Sequence, residues 1–303
     1  MILKQYLKKA REEHWAVGHF NFSTADQLRA FVEAATEAKS PIMVATSEGE
    51  AEFFGMNQAA ALVKSYQKYG YHIWLNADHF KSFEKCKQAI DAGYDSILID
   101  ASKLSYEENV ALTKQVVEYA HSVNPDISVE GELGYLRGSS EIQTKVEIIP
   151  ADYTQPNLAF SFVSGTGIDR FAPVFGNIHG IVTEQEEKLD IEHLKNIARA
   201  VSIPVAGGVT GFRQVSLVLH GASGLSVDDV RAAIQAGISN VHINTELRVA
   251  YHDALVEELK QEPGQTTPYK MLKPSYEATK EMIQAKLELF GAVGKIWHNC
   301  HFR

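Results

Sequence analysis

The sequence predicts a (β/α)8 barrel, the TIM-barrel class with extra C-terminal helices, on three observations. Short apolar runs alternate with helix-period stretches over about 250 residues. The runs are continuously apolar, as strands buried on both faces require. Most of them end in His, Asp, Glu or Asn. The first run is 16–21, and Leu28, Phe31, Val32 and Ala35 place a helix over 25–39. The second run, 41–46, precedes a helix near 57–69, and the third, 72–77, a helix near 82–92 that stops at Gly93. The fourth is 96–100 with a helix near 105–121, the fifth 127–133, and the sixth 171–176 with a helix near 190–200. Two stretches, 203–206 and 215–219, compete for the seventh strand, a helix near 226–236 follows, and 241–243 is the eighth. Residues 250–290 read as helical with a break at Pro263-Gly264, so 250–303 extends a single barrel domain spanning 1–303. A doubly wound open sheet is the alternative; the first strand lacks the Gly-x-Gly-x-x-Gly that a dinucleotide-binding version carries.

The 303 residues are 45% hydrophobic and 22% charged, a globular composition. Twenty-nine Lys and Arg against 38 Asp and Glu give a net charge of −9, which argues against nucleic-acid and anionic-membrane partners. No apolar run is long enough to span a bilayer. Charges at Lys8, Lys9, Arg11, Glu12 and Glu13 interrupt any signal-peptide core. Cys86 and Cys300 make no disulfide framework, so free thiols in a cytoplasmic protein are expected. The tail 297–303 holds two His and one Cys and is expected to be solvated rather than metal-binding.

In such a barrel the carboxyl ends of the strands surround one mouth. There stand Asp78-His79, Asp100, Glu130 and Glu132, Asn177-Ile178-His179-Gly180, His220-Gly221 and Asn244-Thr245-Glu246. A lone histidine is more often a satisfied core residue. His79, His179 and His220 at equivalent strand ends instead form the ligand set of an open zinc site. Asp78 adds a carboxylate at the rim. Glu130 and Glu132 are two apart in a strand and share a face, from which they can orient a ligand or supply a fourth. The turn His220-Gly221-Ala222-Ser223-Gly224 before a helix suits a phosphate, with 206–211 as a rival loop.

These motifs, with Asn76-Ala77-Asp78-His79 and Val129-Glu130-Gly131-Glu132 among them, resemble the class II, zinc-dependent ketose-bisphosphate aldolases over about residues 1–290. The resemblance implies reversible cleavage of a phosphorylated ketose to dihydroxyacetone phosphate and an aldehyde. Fructose 1,6-bisphosphate is the default substrate, giving glyceraldehyde 3-phosphate; tagatose 1,6-bisphosphate or another ketose phosphate is the alternative. It implies zinc on His79, His179 and His220, with Glu132 able to approach a shifted metal and Asp100 near a second divalent or monovalent cation. It implies that Asp78 handles the proton of the aldehyde-derived oxygen. Gly180, Gly221 and Ser223 match phosphate-binding positions, and Asn21 and Ser47 match positions near the far end of the sugar. His242, Asn244 and Thr245 complete the substrate contacts, and a homo-oligomer, dimer or tetramer, is expected. Four departures stand out. His242 replaces an Asn common in relatives. Thr183 lies near a usual Lys. The loop 137–149 puts Ser140 at the place of a mobile acid, with Glu141 next to it. Residues 206–216 look inserted. Carbon–carbon cleavage leaves a carbanion that needs a metal or a lysine Schiff base, and no strand end carries a Lys. A zinc hydrolase or a catalytically silent sugar-phosphate binder on the same barrel are the competing classes.

Overall fold

The computed structural model describes residues 2–204 and 212–296. Eight parallel strands close into a barrel: β1 (Val17–Asn21), β2 (Ile42–Ser47), β3 (Ile73–Phe80), β4 (Ser96–Ile99), β5 (Ser128–Leu133), β7 (Arg170–Pro173), β11 (Ser216–Leu219) and β12 (Ile238–Ile243). Around the ring the order is β1-β12-β11-β7-β5-β4-β3-β2. Burial is nearly continuous along these strands, as helices on one face and barrel filling on the other demand.

The helices that cover the barrel are α1 (Leu3–Glu12), α2 (Ala25–Glu37), α3 (Glu48–Phe54), α4 (Met56–Lys68), α5 (Phe83–Ala92), α6 (Tyr106–Val123), α7 (Pro156–Thr166), α8 (Ile191–Ala200) and α9 (Val227–Gln235). Three of them, α1, α3 and α7, are additions to the sequence expectation. The C-terminal part runs α10 (Thr245–Gln261), α11 (Pro268–Met271) and α12 (Lys273–Leu289), broken where Pro263-Gly264 predicts, and α12 packs on α2 and α10. The competition for strand seven resolves in favour of β11. The rival stretch contributes β9 (Ser202–Pro204), which pairs antiparallel with β10 (Phe212–Gln214) outside the barrel. The polar loop after β5 is also partly ordered: β6 (Gly138–Gln143) pairs in parallel with β8 (His179–Val182), a two-stranded strap beside the mouth. The rival phosphate loop 206–211 and the tail 297–303 lie outside the described residues. Among the described residues no helix is long and apolar enough to cross a membrane.

The barrel interior holds a charge. Arg170 opens β7 and is fully buried, with Nη1 2.5 Å from Glu130 Oε2. It donates to Asn240 and Asn76 Oδ1, each at 2.9 Å, to Ser128 Oγ at 3.2 Å, and to Ser96 Oγ. The guanidinium is the hub of a polar layer below the mouth, and its donors are spent on fixed partners. Arg170→Ala leaves Glu130 Oε2 buried without its guanidinium partner. It should cost about 3–5 kcal/mol in urea unfolding, whereas Arg170→Met with Glu130→Leu should recover part of that loss because no charge stays buried.

A second buried acid lies at the periphery. Glu187 follows β8 and is 8% exposed, and burial pushes its carboxyl up to about 7. The folded state therefore binds this proton more tightly than the unfolded chain does. The associated stability is complete below the unfolded value near 4.5 and is lost as pH rises through about 7. Glu187→Gln should be more stable than the parent by ~1 kcal/mol at pH 8, the figure being reduced for solvent screening, and the gap should narrow by pH 5, as read from urea midpoints.

Candidate active site

In a regular strand Asp78 and His79 point to opposite faces. Here the register of β3 on β4 shifts between Ala77 and Phe80, and His79 sits at φ 52°. The bulge turns both side chains into the same pocket. Asn177 fixes the next element: its Oδ1 accepts from the Phe175 amide at 2.9 Å and its Nδ2 donates to the His220 carbonyl at 3.1 Å. That ties the turn carrying His179 to the end of β11 carrying His220.

His79, His179 and His220 each offer a ring nitrogen within 4.8 Å of the others, and their ring centroids are 5.0, 5.0 and 6.1 Å apart. Carboxylates set the tautomers. His220 Nε2 donates to Glu130 Oε1 at 2.7 Å, which leaves its buried Nδ1 without a hydrogen bond, although Glu132 Oε1 stands 2.9 Å away. His79 Nδ1 donates to Asp100 Oδ2 at 3.2 Å and lies 3.6 Å from Glu132. Asp100 is itself held by the Ser102 hydroxyl at 2.7 Å. Glu130 therefore orients a histidine and pairs with Arg170, whereas Glu132 faces His79 and His220.

The electrostatics demand positive charge at this point. Burial alone would depress His79, but Glu132 and Asp78 outweigh it and lift the imidazole to about 9. His220 is likewise raised well above its ordinary value, its burial outweighed by Glu132 and Glu130. His179, buried and facing the other two rings, falls to about 3 and stays neutral. Protons on two histidines or one divalent cation meet the same demand, and three convergent imidazoles with an orphaned Nδ1 fit the cation.

Asp78 lies beside this centre. Burial would raise its carboxyl, but His79, His19 and His220 together bring it to about 2. Asn21 donates to its Oδ2 at 2.9 Å, and its Oδ1 is buried and free of hydrogen bonds. His242 stacks on His19 at 3.5 Å and leans on His220 at 4.3 Å, with its Nδ1 3.6 Å from Asp78.

Gly180, Gly221, Ser223, Asn244 and Thr245 line the same pocket. Gly180 and Gly221 have φ of 90° and 67°, and a Cβ on them would meet Ser139 O at 2.2 Å and Ile178 O at 2.0 Å. Only glycine lets these backbones approach so closely. Asn244 and Thr245 start the 17-residue α10, whose N-terminus brings partial positive charge to the pocket.

The pocket thus gathers Asn21, Asp78, the three histidines, both glycines, Ser223, His242, Asn244 and Thr245. Asp100 and Glu132 stand behind His79. Like them, two further expected residues fall outside the lining. Ser47 is spent on capping α3, its amide donating to Glu50 Oε2 at 2.7 Å. Glu141 is an exposed residue of β6, and its neighbour Ser140 lines the mouth instead. Three participants went unassigned in the sequence: Arg170, His19 and Glu50. The signal for Glu50 is the Ser47-x-x-Glu50 capping spacing, and for Arg170 a charge opening an apolar run.

The family model for class II fructose-bisphosphate aldolase matches residues 2–295. A fructose-bisphosphate aldolase of Geobacillus stearothermophilus is 36% identical over 97% of both chains, and one from Staphylococcus aureus strain Mu50 is 36% identical over 95% of this chain and 96% of its own. The crystal structure of the YdjI aldolase from Escherichia coli K12 superimposes with a TM-score of 0.80 at 33% identity, covering 97% of this chain and 98% of that one. Motifs, barrel and relatives agree, and the chain belongs to the class II fructose-bisphosphate aldolase family.

Proposed function

We propose that this protein is a zinc-dependent aldolase that reversibly cleaves a phosphorylated ketose to dihydroxyacetone phosphate and an aldehyde. It is read as cytoplasmic and homo-oligomeric, with Cys86 kept as a buried thiol. The observation that carries the reading is the convergence of His79, His179 and His220 between an ionised Asp78 and a glycine-lined helix N-terminus. Fructose 1,6-bisphosphate takes its support from the names of the relatives. The family match favours this class over a zinc hydrolase or a silent binder on the same barrel.

His79, His179 and His220 would hold the ion, with Glu132 as a further donor and Asp100 orienting His79; a second cation is proposed beside Asp100. When bound, zinc supplies a Lewis acid for the negative charge that develops beside the substrate carbonyl. The chain's own residues do the rest. The amides around Gly180, Gly221 and Ser223, with the start of α10, hold the phosphate. Asp78, ionised and held by Asn21, accepts the proton of the hydroxyl that becomes the aldehyde and returns it in condensation. His242 and its neighbours wall the reacting carbons from water. Glu141 is assigned the proton of the dihydroxyacetone phosphate carbon, reached by movement of the strap that already brings Ser140 to the mouth.

Each of His79→Ala, His179→Ala and His220→Ala should lose bound zinc by elemental analysis, and ketose cleavage with it, while keeping the parent's far-UV spectrum. Retention of full activity in EDTA refutes the metal assignment. Asp78→Asn should keep its zinc and lose about 10²–10⁴-fold in kcat. Glu141→Gln should slow solvent-deuterium exchange into dihydroxyacetone phosphate by about 10²-fold at unchanged zinc content; exchange at the parental rate moves the role elsewhere.

A further inference from the structure

The barrel order places β2 four positions from β7, directly across the mouth. The glycine cradle hangs on the segments after β7 and β11, and Glu50 sits on α3, the helix immediately after β2. A ketose held by its phosphate at the cradle, with its carbonyl over the three histidines, therefore extends its far end toward β1, β2 and β3. Two carboxylates wait there. Asn21 Nδ2 donates to Asp78 Oδ2 at 2.9 Å and to Glu50 Oε2 at 3.0 Å, so both of its N–H groups are spent on acids. Among the described residues no Lys or Arg pairs with Glu50. Its Oε1 has one long contact, the Ser23 hydroxyl at 3.5 Å.

We infer that Glu50 sets the specificity of this far end, disfavouring a second phosphate and accepting an uncharged, hydroxyl-bearing chain, a proposal that rests on the aldolase reading above. A terminal phosphate would lie beside two carboxylates, with no Lys or Arg paired to Glu50 among the described residues, and like charges so placed discriminate strongly. Hydroxyl groups are donors, and Glu50 Oε1 is an acceptor with capacity to spare.

Glu50 is also the third residue of α3 and closes a capping box with Ser47. A cap accounts for the bond to the Ser47 amide. It does not account for the bond to Asn21, the partner of Asp78. Glutamine fills the same capping position and still accepts from Asn21, so Glu50→Gln removes the charge and leaves the local fold.

The experiment compares fructose 1-phosphate with fructose 1,6-bisphosphate, which differ only in the distal phosphate, by release of dihydroxyacetone phosphate. The parent protein should show the higher kcat/KM for fructose 1-phosphate. In Glu50→Gln the ratio should shift toward the bisphosphate by at least about 10-fold, mainly through the bisphosphate KM. A parent that favours the bisphosphate, or a ratio that stays within about twofold in the variant, overturns the proposal. Deuterium exchange into dihydroxyacetone phosphate by the parent protein separates the two readings, because it needs no far end. With exchange present, a failed ratio falls on Glu50 alone; with exchange absent, the aldolase reading and this proposal fall together.

Discussion

The ion pair between Arg170 and Glu130 is the constraint on which the site stands. It is fully buried below the mouth, and every other residue of the polar layer is arranged around it. Glu130 spends one oxygen on Arg170 and the other on His220 Nε2. The pair therefore reaches from the barrel floor to the three-histidine cluster in two contacts. Desolvating two charges is costly, and apolar filling serves stability as well or better. What the pair supplies that apolar filling cannot is a fixed tautomer and orientation for a histidine that faces the pocket with its other nitrogen.

The same logic recurs at the rim. Asp100 holds His79, the Ser102 hydroxyl holds Asp100, and Asn21 holds Asp78. His79, His220 and Asp78 each have one polar atom tied to a neighbour and one left for chemistry. A cluster of carboxylates this dense is tolerable only with positive charge among them, which is why His79 and His220 are driven upward; His179 is driven down by its burial and by those two rings. With a metal bound, His79, His179 and His220 would serve as neutral ligands, and the ion's charge would replace the protons on His79 and His220.

Most of this was legible in the sequence, for a physical reason. Strand ends in a barrel converge, so residues far apart in sequence can be placed together once the βα alternation is recognised. His79, His179, His220, Asp78 and the glycine turns were found that way. The misses have causes too. Helix α7 carries Phe160, Phe162 and Val163, whose propensities do not favour a helix, and burial of Ala159, Phe162 and Val163 decides its state. The seventh strand was ambiguous because 203–206 and 215–219 are equally short and apolar, and only pairing separates them. Ser47 was assigned from the family resemblance alone, but its backbone and hydroxyl cap a helix, α3, that the sequence pattern does not reveal. Arg170 was invisible as a hub because its partners come from four other strands: Glu130 and Ser128 from β5, Asn76 from β3, Ser96 from β4 and Asn240 from β12.

The mouth that results is electrically divided, and the division would orient a substrate with no lysine lining the pocket among the described residues. On the β7 and β11 side stand close-packed glycine backbones and the N-terminus of α10, a surface that offers donors and partial positive charge. On the β1, β2 and β3 side stand Asp78 and Glu50, joined by one amide and offering only acceptors. The three histidines lie between. A ligand with an anionic head and a hydroxyl-bearing body has one favourable way to lie across such a gradient, and that way brings its ketone to the histidines and the adjoining hydroxyl to Asp78. Reversing it would set phosphate against carboxylate and hydroxyls against a donor surface. Orientation is thus a property of the whole rim, inherited from which strand each loop follows, and the chemistry needs only that the bond to be cleaved lie at the middle of the gradient.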